Sequence, residues 1–179
     1  MGPLLFLWGL TAFYEREMLS LTFNDIDVDA SDRGVVKLGH TKTGRRHAAF
    51  EASAFNDPVC GRLYRALLAS VPKGTHPDHY LYTPNMADFY KRFKAGLKWL
   101  GLEEHGFLPY SIRRGGATAF FRVTRNMEVT LDRGRWSSSR VARIYVNDGL
   151  AREVEMRLSA EQAARVALMN EAFKLWLPR

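Results

Sequence analysis

Strand-like patterns in this sequence are confined to its first third, and this distribution limits the fold more than any other feature. Residues 24–29 alternate polar and apolar side chains, which is the period of a half-buried strand. Two further strands are predicted at 35–40 and 46–50, around a hairpin tip at Thr43 and Gly44. Three short strands make only a small sheet, and the rest of the chain has helical periodicity. The sequence therefore predicts an α+β fold that is mainly helical, with a small three-stranded antiparallel sheet.

Apolar residues recur at helical spacing over most of the remaining chain. The adjacent glycines Gly115 and Gly116 weaken a helix, so we expect them to allow a close approach of the backbone to another backbone or to a ligand. Asn56 or Asp57 is expected to cap the second predicted helix, and Ser159 opens a capping box before the last one. The predicted helices cover residues 4–21, 58–70, 85–100, 110–125, 127–134, 137–146 and 159–176.

The length of 179 residues allows one buried core and is short for two, which predicts a single domain over 1–179 with a C-terminal helical tail at 152–179. The first helix starts almost at Met1 without a capping residue, so we expect that an upstream segment is missing. The apolar run 3–13 is too short to span a bilayer and lacks the features of a signal peptide, which predicts a core helix and no membrane partner. Cys60 is the only cysteine, which fits a reducing, intracellular setting.

The net charge of +7 and the isoelectric point near 9.8 favour a polyanionic partner such as nucleic acid, although a soluble protein can be basic without one. The lysines and arginines are spread along the whole chain rather than gathered in a tail. His76 and His79 lie in a loop rich in proline and glycine with no third ligand nearby, so we interpret it as a solvated loop and predict no metal site. The basic face of the helix at 85–100 either is solvated or lines a DNA groove.

The residue types best suited to phosphate chemistry are gathered between Leu108 and Tyr145. Arg113 and Arg114 lie at a helix start, and Trp136 precedes Tyr145 by nine residues. A guanidinium and an indole N–H donate hydrogen bonds to phosphate oxygens, and a phenol can attack phosphorus. Each residue alone is more often part of a core or an ordinary surface. The run therefore predicts a phosphodiester site only together with the rest of the chain.

In their order and spacing, these residues resemble the catalytic domain of the tyrosine recombinases, the phage-integrase superfamily, over about residues 4–151. Each motif is short, and their joint order makes the likeness specific. The motifs that match are Glu17 to Ile26 at a helix end and strand start, Lys42 in a β-hairpin, Tyr110-Ser111-Ile112-Arg113 at a helix start, Gly134-Arg135-Trp136, and Tyr145.

The resemblance implies cleavage of duplex DNA without a metal or another cofactor, through attack of Tyr145 on phosphorus and a covalent 3′-phosphotyrosyl intermediate. Arg113 and Trp136 would hold the non-bridging oxygens and stabilise the charge that develops on them. Lys42 would protonate the leaving 5′ oxygen. Residues expected at the DNA backbone are Arg45, Arg46 and Arg114, and the alternative for all three is an ordinary solvated charge. Members of the family normally carry an N-terminal DNA-binding domain as well, which we expect to be missing from this sequence.

Two positions depart from the family pattern. Tyr110 stands in place of a histidine, and a phenol is a poor proton acceptor at neutral pH. Tyr14 stands in place of the first family arginine. Arg16 lies two residues further along the helix, about 200° around it, so it replaces that arginine only if the helix ends or distorts near Glu15. Otherwise Arg16 pairs with a neighbouring acidic residue.

Three functions are compatible with this pattern. The first is a site-specific recombinase or integrase. The second is a DNA-binding or assembly module that keeps the fold without cleaving, and the third is a type IB topoisomerase, which the hairpin and helix spacing disfavour. Each would act on double-stranded DNA inside a cell, in a cytoplasm, nucleoid or nucleus. Residues 154–176 either reach a neighbouring protomer of a homo-oligomer on DNA or pack within their own chain.

Overall fold

The computed structural model describes residues 18–38, 51–56, 58–82 and 85–176. The predicted first helix, 4–21, is described only at its end, where Met18 and Leu19 are helical. Two 3₁₀ turns, Phe23–Asp25 and Glu103–His105, precede the first strand and the third helix. The strands and α-helices of the described ranges are β1 (Ile26–Val28), β2 (Gly34–Leu38), β3 (Glu51–Phe55), α1 (Pro58–Ala69), α2 (Met86–Leu100), α3 (Pro109–Thr124), α4 (Met127–Gly134), α5 (Ser139–Tyr145), α6 (Asp148–Arg157) and α7 (Ala160–Trp176).

The three strands form one antiparallel sheet in the order β1-β2-β3, which confirms the predicted α+β fold. Asp29 fixes the turn between β1 and β2, since its Oδ1 accepts hydrogen bonds from the backbone N–H groups of Ser31 at 2.8 Å and Arg33 at 3.0 Å. Asp32 in the same turn has a φ of 61°, a left-handed conformation that aspartate tolerates better than most residues. The two aspartates therefore stabilise this turn, one through side-chain hydrogen bonds to the backbone and the other through its tolerance of a left-handed conformation.

Two strand boundaries differ from the prediction. Residues 23–25 form a 3₁₀ turn rather than the start of a strand, because the Asp25 carboxylate accepts hydrogen bonds at 2.8 Å from both the backbone N–H and the hydroxyl of Thr22. This local bonding competes with pairing in the sheet. The third strand is β3, paired with β2 from Leu38↔Glu51 to Gly34↔Phe55. The strand predicted at 46–50 and its hairpin tip lie outside the described residues.

One face of the sheet is buried against α1 and α2. Phe55 of β3, Tyr64 of α1 and Phe89 of α2 belong to one core cluster, and each large apolar side chain buried there contributes about 1.5–3 kcal/mol. Gly61 allows α1 to approach the β1–β2 turn, because a Cβ at this position would lie 2.2 Å from the carbonyl oxygen of Asp32. A glycine is required at this contact for reasons of space alone.

Six predicted helices, α1 to α5 and α7, are confirmed to within two residues at each end. The capping box of α7 is present, since Gln162 N donates to Ser159 Oγ at 3.1 Å and Ser159 N donates to Gln162 Oε1 at 2.8 Å. Apart from its chain neighbours and its own helix, Gly115 has no heavy atom of the described residues within 4 Å of the position that a Cβ would occupy. The expected approach of another backbone is therefore not seen at Gly115 within the described ranges, and the expected approach of a ligand stays a prediction.

Helix α6 was not predicted from the sequence. Asn147 caps it, with its Oδ1 accepting a hydrogen bond from Leu150 N at 2.9 Å. Arg122 of α3 binds Asp148 at 2.5 Å and Glu155 at 2.7 Å, and both carboxylates belong to α6. These two ion pairs hold α6 against α3.

The beginning of α7 packs against the end of α2 in the same chain. Gln162 Nε2 donates to Gly101 O at 2.5 Å, and Arg165 Nη1 donates to Trp99 O at 2.9 Å. Both bonds satisfy carbonyl groups at a helix C-terminus, which have no partner inside the helix. Of the two arrangements that the sequence left open, the first turns of α7 take the intramolecular one. Within the described ranges, every helix is too short or too polar to cross a membrane.

Candidate active site

Arg113 lies at the centre of the candidate site. It belongs to the second turn of α3, whose start is set by Pro109 in the first turn and by a hydrogen bond from Leu108 N to Ser111 Oγ at 3.1 Å. The Arg113 side chain is 0% exposed, and its Nη2 donates to Gly134 O at 2.8 Å. A guanidinium is costly to bury unless its charge and its donors are satisfied. Its burial indicates that the surrounding structure is built around a cation at this position.

Trp136 lies beside this arginine in the tight turn that ends α4. Arg135 takes the left-handed conformation at φ 55°, and Trp136 N donates to Leu131 O at 3.1 Å. A Cβ on Gly134 would lie 2.1 Å from the indole ring, so glycine is needed here for the ring to pack against the helix end. The motif Gly134-Arg135-Trp136 therefore has a local structural explanation as well as a place in the family pattern.

The indole of Trp136 brings a hydrogen-bond donor into the site without using it on the described part of the protein. The residue is 5% exposed, and its buried Nε1 has no hydrogen-bond partner among the described residues. A buried N–H without an acceptor costs about 1–3 kcal/mol. Such a group is retained at a functional site when a ligand supplies the acceptor.

Tyr145 is the last residue of α5 and lies over both donors. Its ring stacks on that of Trp136, with centroids 4.7 Å apart and planes inclined by 23°. The guanidinium carbon of Arg113 lies 5.3 Å from the Tyr145 ring centroid and 5.2 Å from that of Trp136, within the range of cation–π contacts. Helices α3, α4 and α5 thus bring an arginine, an indole and a phenol together from positions up to 32 residues apart.

Tyr110 completes the cluster at its exposed side. It lies one turn before Arg113 on α3, and its ring centroid is 5.7 Å from that of Tyr145 at an angle of 57°. The residue is 38% exposed, so its phenol is accessible to an incoming ligand. It can donate a hydrogen bond to a phosphate oxygen.

The remaining predicted site residues are not part of this cluster. Arg114 is half-buried on α3 next to Arg113, which turns it about 100° around the helix. The other predicted residues lie outside the described ranges: Lys42, Arg16, Arg45 and Arg46, together with Tyr14.

Sequence reasoning missed two arginines that attach the site to the sheet. Arg135 Nη1 forms an ion pair with Glu51 Oε2 at 2.8 Å, and both side chains are mostly buried. Arg133 Nη1 donates to Ala54 O, and burial lowers the pKa of this guanidinium. Both contacts join the end of α4 to β3. The available sequence signal was their place in the chain, since Arg135 belongs to the Gly-Arg-Trp motif and Arg133 directly precedes it.

The side chains of the described residues indicate what kind of ligand the candidate site suits. Within them, no three histidine, cysteine, aspartate or glutamate side chains come together as ligands for a metal ion. His76 and Asp78 form an exposed pair in their loop, with Nδ1 and Oδ2 3.6 Å apart. The groups at the candidate site are donors of hydrogen bonds and a phenol, which suit an anionic substrate.

The comparison with solved structures agrees with the predicted fold class, a tyrosine recombinase catalytic core. The chain is similar to the XerH site-specific recombinase bound to its difH substrate in a pre-cleavage complex, with a TM-score of 0.64 and 14% identity over 85% of this chain and 44% of that one. It is also similar to XerH bound to a palindromic difH substrate in a post-cleavage complex, with a TM-score of 0.63 and 14% identity over 80% of this chain and 40% of that one.

These likenesses show the fold. The chain spans less than half the length of either recombinase chain. No family model and no curated protein matches the sequence.

Proposed function

We propose that this chain is the catalytic part of a site-specific DNA recombinase or integrase, which breaks and rejoins duplex DNA through a 3′-phosphotyrosyl intermediate. The observation that carries the proposal is the Nε1 of Trp136, which has no hydrogen-bond partner among the described residues, beside the buried guanidinium of Arg113, with the phenol ring of Tyr145 lying over both. A phosphate oxygen would supply the acceptor for this N–H, next to the positive charge of Arg113.

In the proposed reaction the Tyr145 oxygen attacks phosphorus, a bond to the 3′ phosphate forms, and the bond from phosphorus to the 5′ oxygen breaks. The phenol proton passes to solvent, and Lys42 protonates the leaving oxygen. Arg113 and Trp136 stabilise the charge on the non-bridging oxygens without reorganising. The tyrosyl ester keeps the energy of the broken phosphodiester, so rejoining is the reverse reaction and needs no ATP.

The donor set of this site is weaker than that of the family it resembles. Tyr110 donates where a histidine would also exchange protons. The position of the first family arginine holds Tyr14, and loss of one such donor lowers a rate by about 10²–10³ unless Arg16 takes its place. We therefore expect a slow enzyme.

The buried state of Arg113 has a further consequence for the reaction. A phosphate cannot reach a guanidinium that is 0% exposed until a covering group moves, and the ring of Tyr145 lies over it. Attack therefore requires the Tyr145 side chain to leave its stack on Trp136 as the DNA enters. The same burial favours a second candidate function, a module that binds DNA but does not cleave it because this stack does not open.

Duplex DNA is the proposed partner. The net charge of +7 favours it, and XerH in the similar structures is bound to its difH substrate. Arg114, Arg45 and Arg46 are proposed to contact the backbone, which makes the affinity strongly dependent on salt. This function places the protein inside a cell, associated with DNA.

Residues 1–179 are proposed to act as one catalytic unit whose C-terminal tail, 152–179, assembles protomers on DNA. The first turns of α7 are held on α2, whereas Leu168 and Met169 further along are 63% and 43% exposed. A second protomer would cover these apolar side chains. Light scattering should show an oligomer with duplex DNA that is lost in Leu168→Asp, while an exposed polar control, Asn170→Asp, keeps it.

One experiment separates the enzyme from the binding module. The protein is incubated with a library of labelled, nicked duplexes of randomised sequence, because the nick lets the cleaved strand diffuse away and traps the intermediate. The enzyme gives a labelled protein band on a denaturing gel, and sequencing of the trapped DNA gives the site. Tyr145→Phe should abolish the band and keep binding, whereas Tyr80→Phe, an exposed tyrosine outside the cluster, should keep both. Binding without a band in the wild type overturns the enzyme proposal.

A further inference from the structure

A single buried hydroxyl connects the helix of Arg113 to the end of the helix of Tyr145. Thr118 lies on α3, five residues after Arg113, and is 4% exposed. Its Oγ1 donates to the carbonyl oxygen of Tyr145 at 3.2 Å and accepts a hydrogen bond from the backbone N–H of Asn147 at 3.2 Å. The side chain therefore binds the main chain on both sides of the connection between α5 and α6.

The backbone of this connection leaves the helical hydrogen-bond pattern. The last backbone bond of α5 runs from Val146 N to Ala142 O at 2.9 Å, after which Val146 is extended. The carbonyl of Tyr145 belongs to the last turn of α5, where a carbonyl receives no hydrogen bond from an N–H of the same helix. Thr118 supplies the partner for this carbonyl and for the next free N–H.

We propose that Thr118 is a positioning residue that fixes the backbone of Tyr145 relative to Arg113, an inference that rests on the proposed function. Tyr145 has to swing its ring out of the stack on Trp136 before it attacks. With its carbonyl held by Thr118, the ring turns about the side-chain torsions while the Cα stays at a constant distance from the phosphate site. Displacements of about 1 Å cost roughly 10² in rate, so a fixed pivot speeds the attack.

Three variants test this role. Thr118→Val keeps the shape and removes the hydroxyl, and Thr118→Ser keeps the hydroxyl. Thr130→Val is the matched control, because Thr130 is equally buried and its hydroxyl donates at 2.7 Å to Asn126 O on its own helix start. Three readouts are needed: the single-turnover rate of adduct formation at saturating DNA, the DNA affinity, and hydrogen exchange of the backbone.

Thr118→Val should exchange about tenfold faster at residues 145–147, while exchange in α1 is unchanged. Its adduct formation should be about 10–10² slower at saturating DNA, with the same affinity for DNA. Thr118→Ser should restore both, and Thr130→Val should resemble the wild type. Exchange at 145–147 that is unchanged in Thr118→Val, or an equal loss of rate in Thr130→Val, overturns the proposal. A wild type without any adduct contradicts the proposed function, and exchange then decides alone whether Thr118 holds this connection.

Discussion

The ring of Tyr145 stacks on the indole of Trp136, with centroids 4.7 Å apart. This contact has two effects on the candidate site. It brings the phenol to the two donors that a phosphate needs. It also covers Arg113, which is fully buried in this arrangement. In the proposed function, this arrangement is a resting state that the DNA has to open.

The donor role of Trp136 is tested by Trp136→Phe. Phenylalanine keeps an aromatic ring on Tyr145 and removes the buried N–H, so adduct formation should fall by about 10²-fold while DNA affinity changes little. The measurement is the single-turnover cleavage rate on a nicked duplex. Trp99→Phe, an exposed tryptophan on α2, is the control and should cleave like the wild type. A Trp136→Phe rate equal to that of the wild type contradicts the donor role.

Replacement of Arg113 by lysine keeps the charge and removes the planar fork. Only the guanidinium can donate to Gly134 O and bind two phosphate oxygens at the same time, so Arg113→Lys should lower the cleavage rate by about 10²–10³. Arg143→Lys, on the exposed side of α5, serves as the control. Comparable rates in the two variants would exclude Arg113 from the reaction.

Tyr110→His should restore the proton chemistry that the phenol lacks. We expect adduct formation to rise by about tenfold and to acquire a pH dependence centred near the ordinary histidine pKa of about 6.5. The rate is measured between pH 5 and pH 8 for both proteins. Tyr110→Phe, which keeps the ring contact with Tyr145, should show no such dependence. A flat profile in Tyr110→His means that this position does not exchange protons with the substrate.

The ion pair between Arg122 of α3 and Asp148 of α6 makes the free energy of unfolding depend on pH. The hydrogen bond from Arg122 holds the pKa of Asp148 below its ordinary value of 3.8. A carboxyl whose folded pKa is lowered stabilises the fold above that ordinary value and loses this contribution as the pH falls through the lowered one.

Asp148→Asn should therefore melt at a lower temperature than the wild type at pH 7, and the difference should shrink as the pH falls from 3.8 and vanish below the lowered pKa of Asp148. Glu104→Gln, an exposed acid in a turn, should melt like the wild type at every pH. A constant difference between Asp148→Asn and the wild type at all pH values would mean that the charge of Asp148 is not its cause.

Most of the helices could be predicted because helical periodicity and capping residues are visible in a short stretch of sequence. The capping box at Ser159 and the periodicity of α2 to α5 depend on neighbours in sequence. Helix α6 was missed because it depends on a contact that is distant in sequence, the ion pair of Asp148 with Arg122, 26 residues before it. The start of β1 was misplaced because Asp25 bonds to Thr22 instead of joining the sheet.

The candidate site was predicted through the order of its motifs, and the contacts that support it were not. Arg135 and Glu51 are 84 residues apart, and Thr118 and Tyr145 are 27 apart. Neither pair has a sequence signal, because an ion pair or a hydroxyl bond depends on how helices pack. The roles of Lys42 and Arg16 stay predictions of the sequence.

The most direct measurement is the identity of the residue that carries DNA after reaction with a nicked duplex. Trapped protein is digested with nuclease and protease, and the peptide that bears the nucleotide is sequenced by mass spectrometry. The proposed mechanism predicts one modified residue, Tyr145, linked to a 3′ phosphate. A nucleotide on any other residue, on a 5′ phosphate, or on none while the protein binds the same DNA would contradict it.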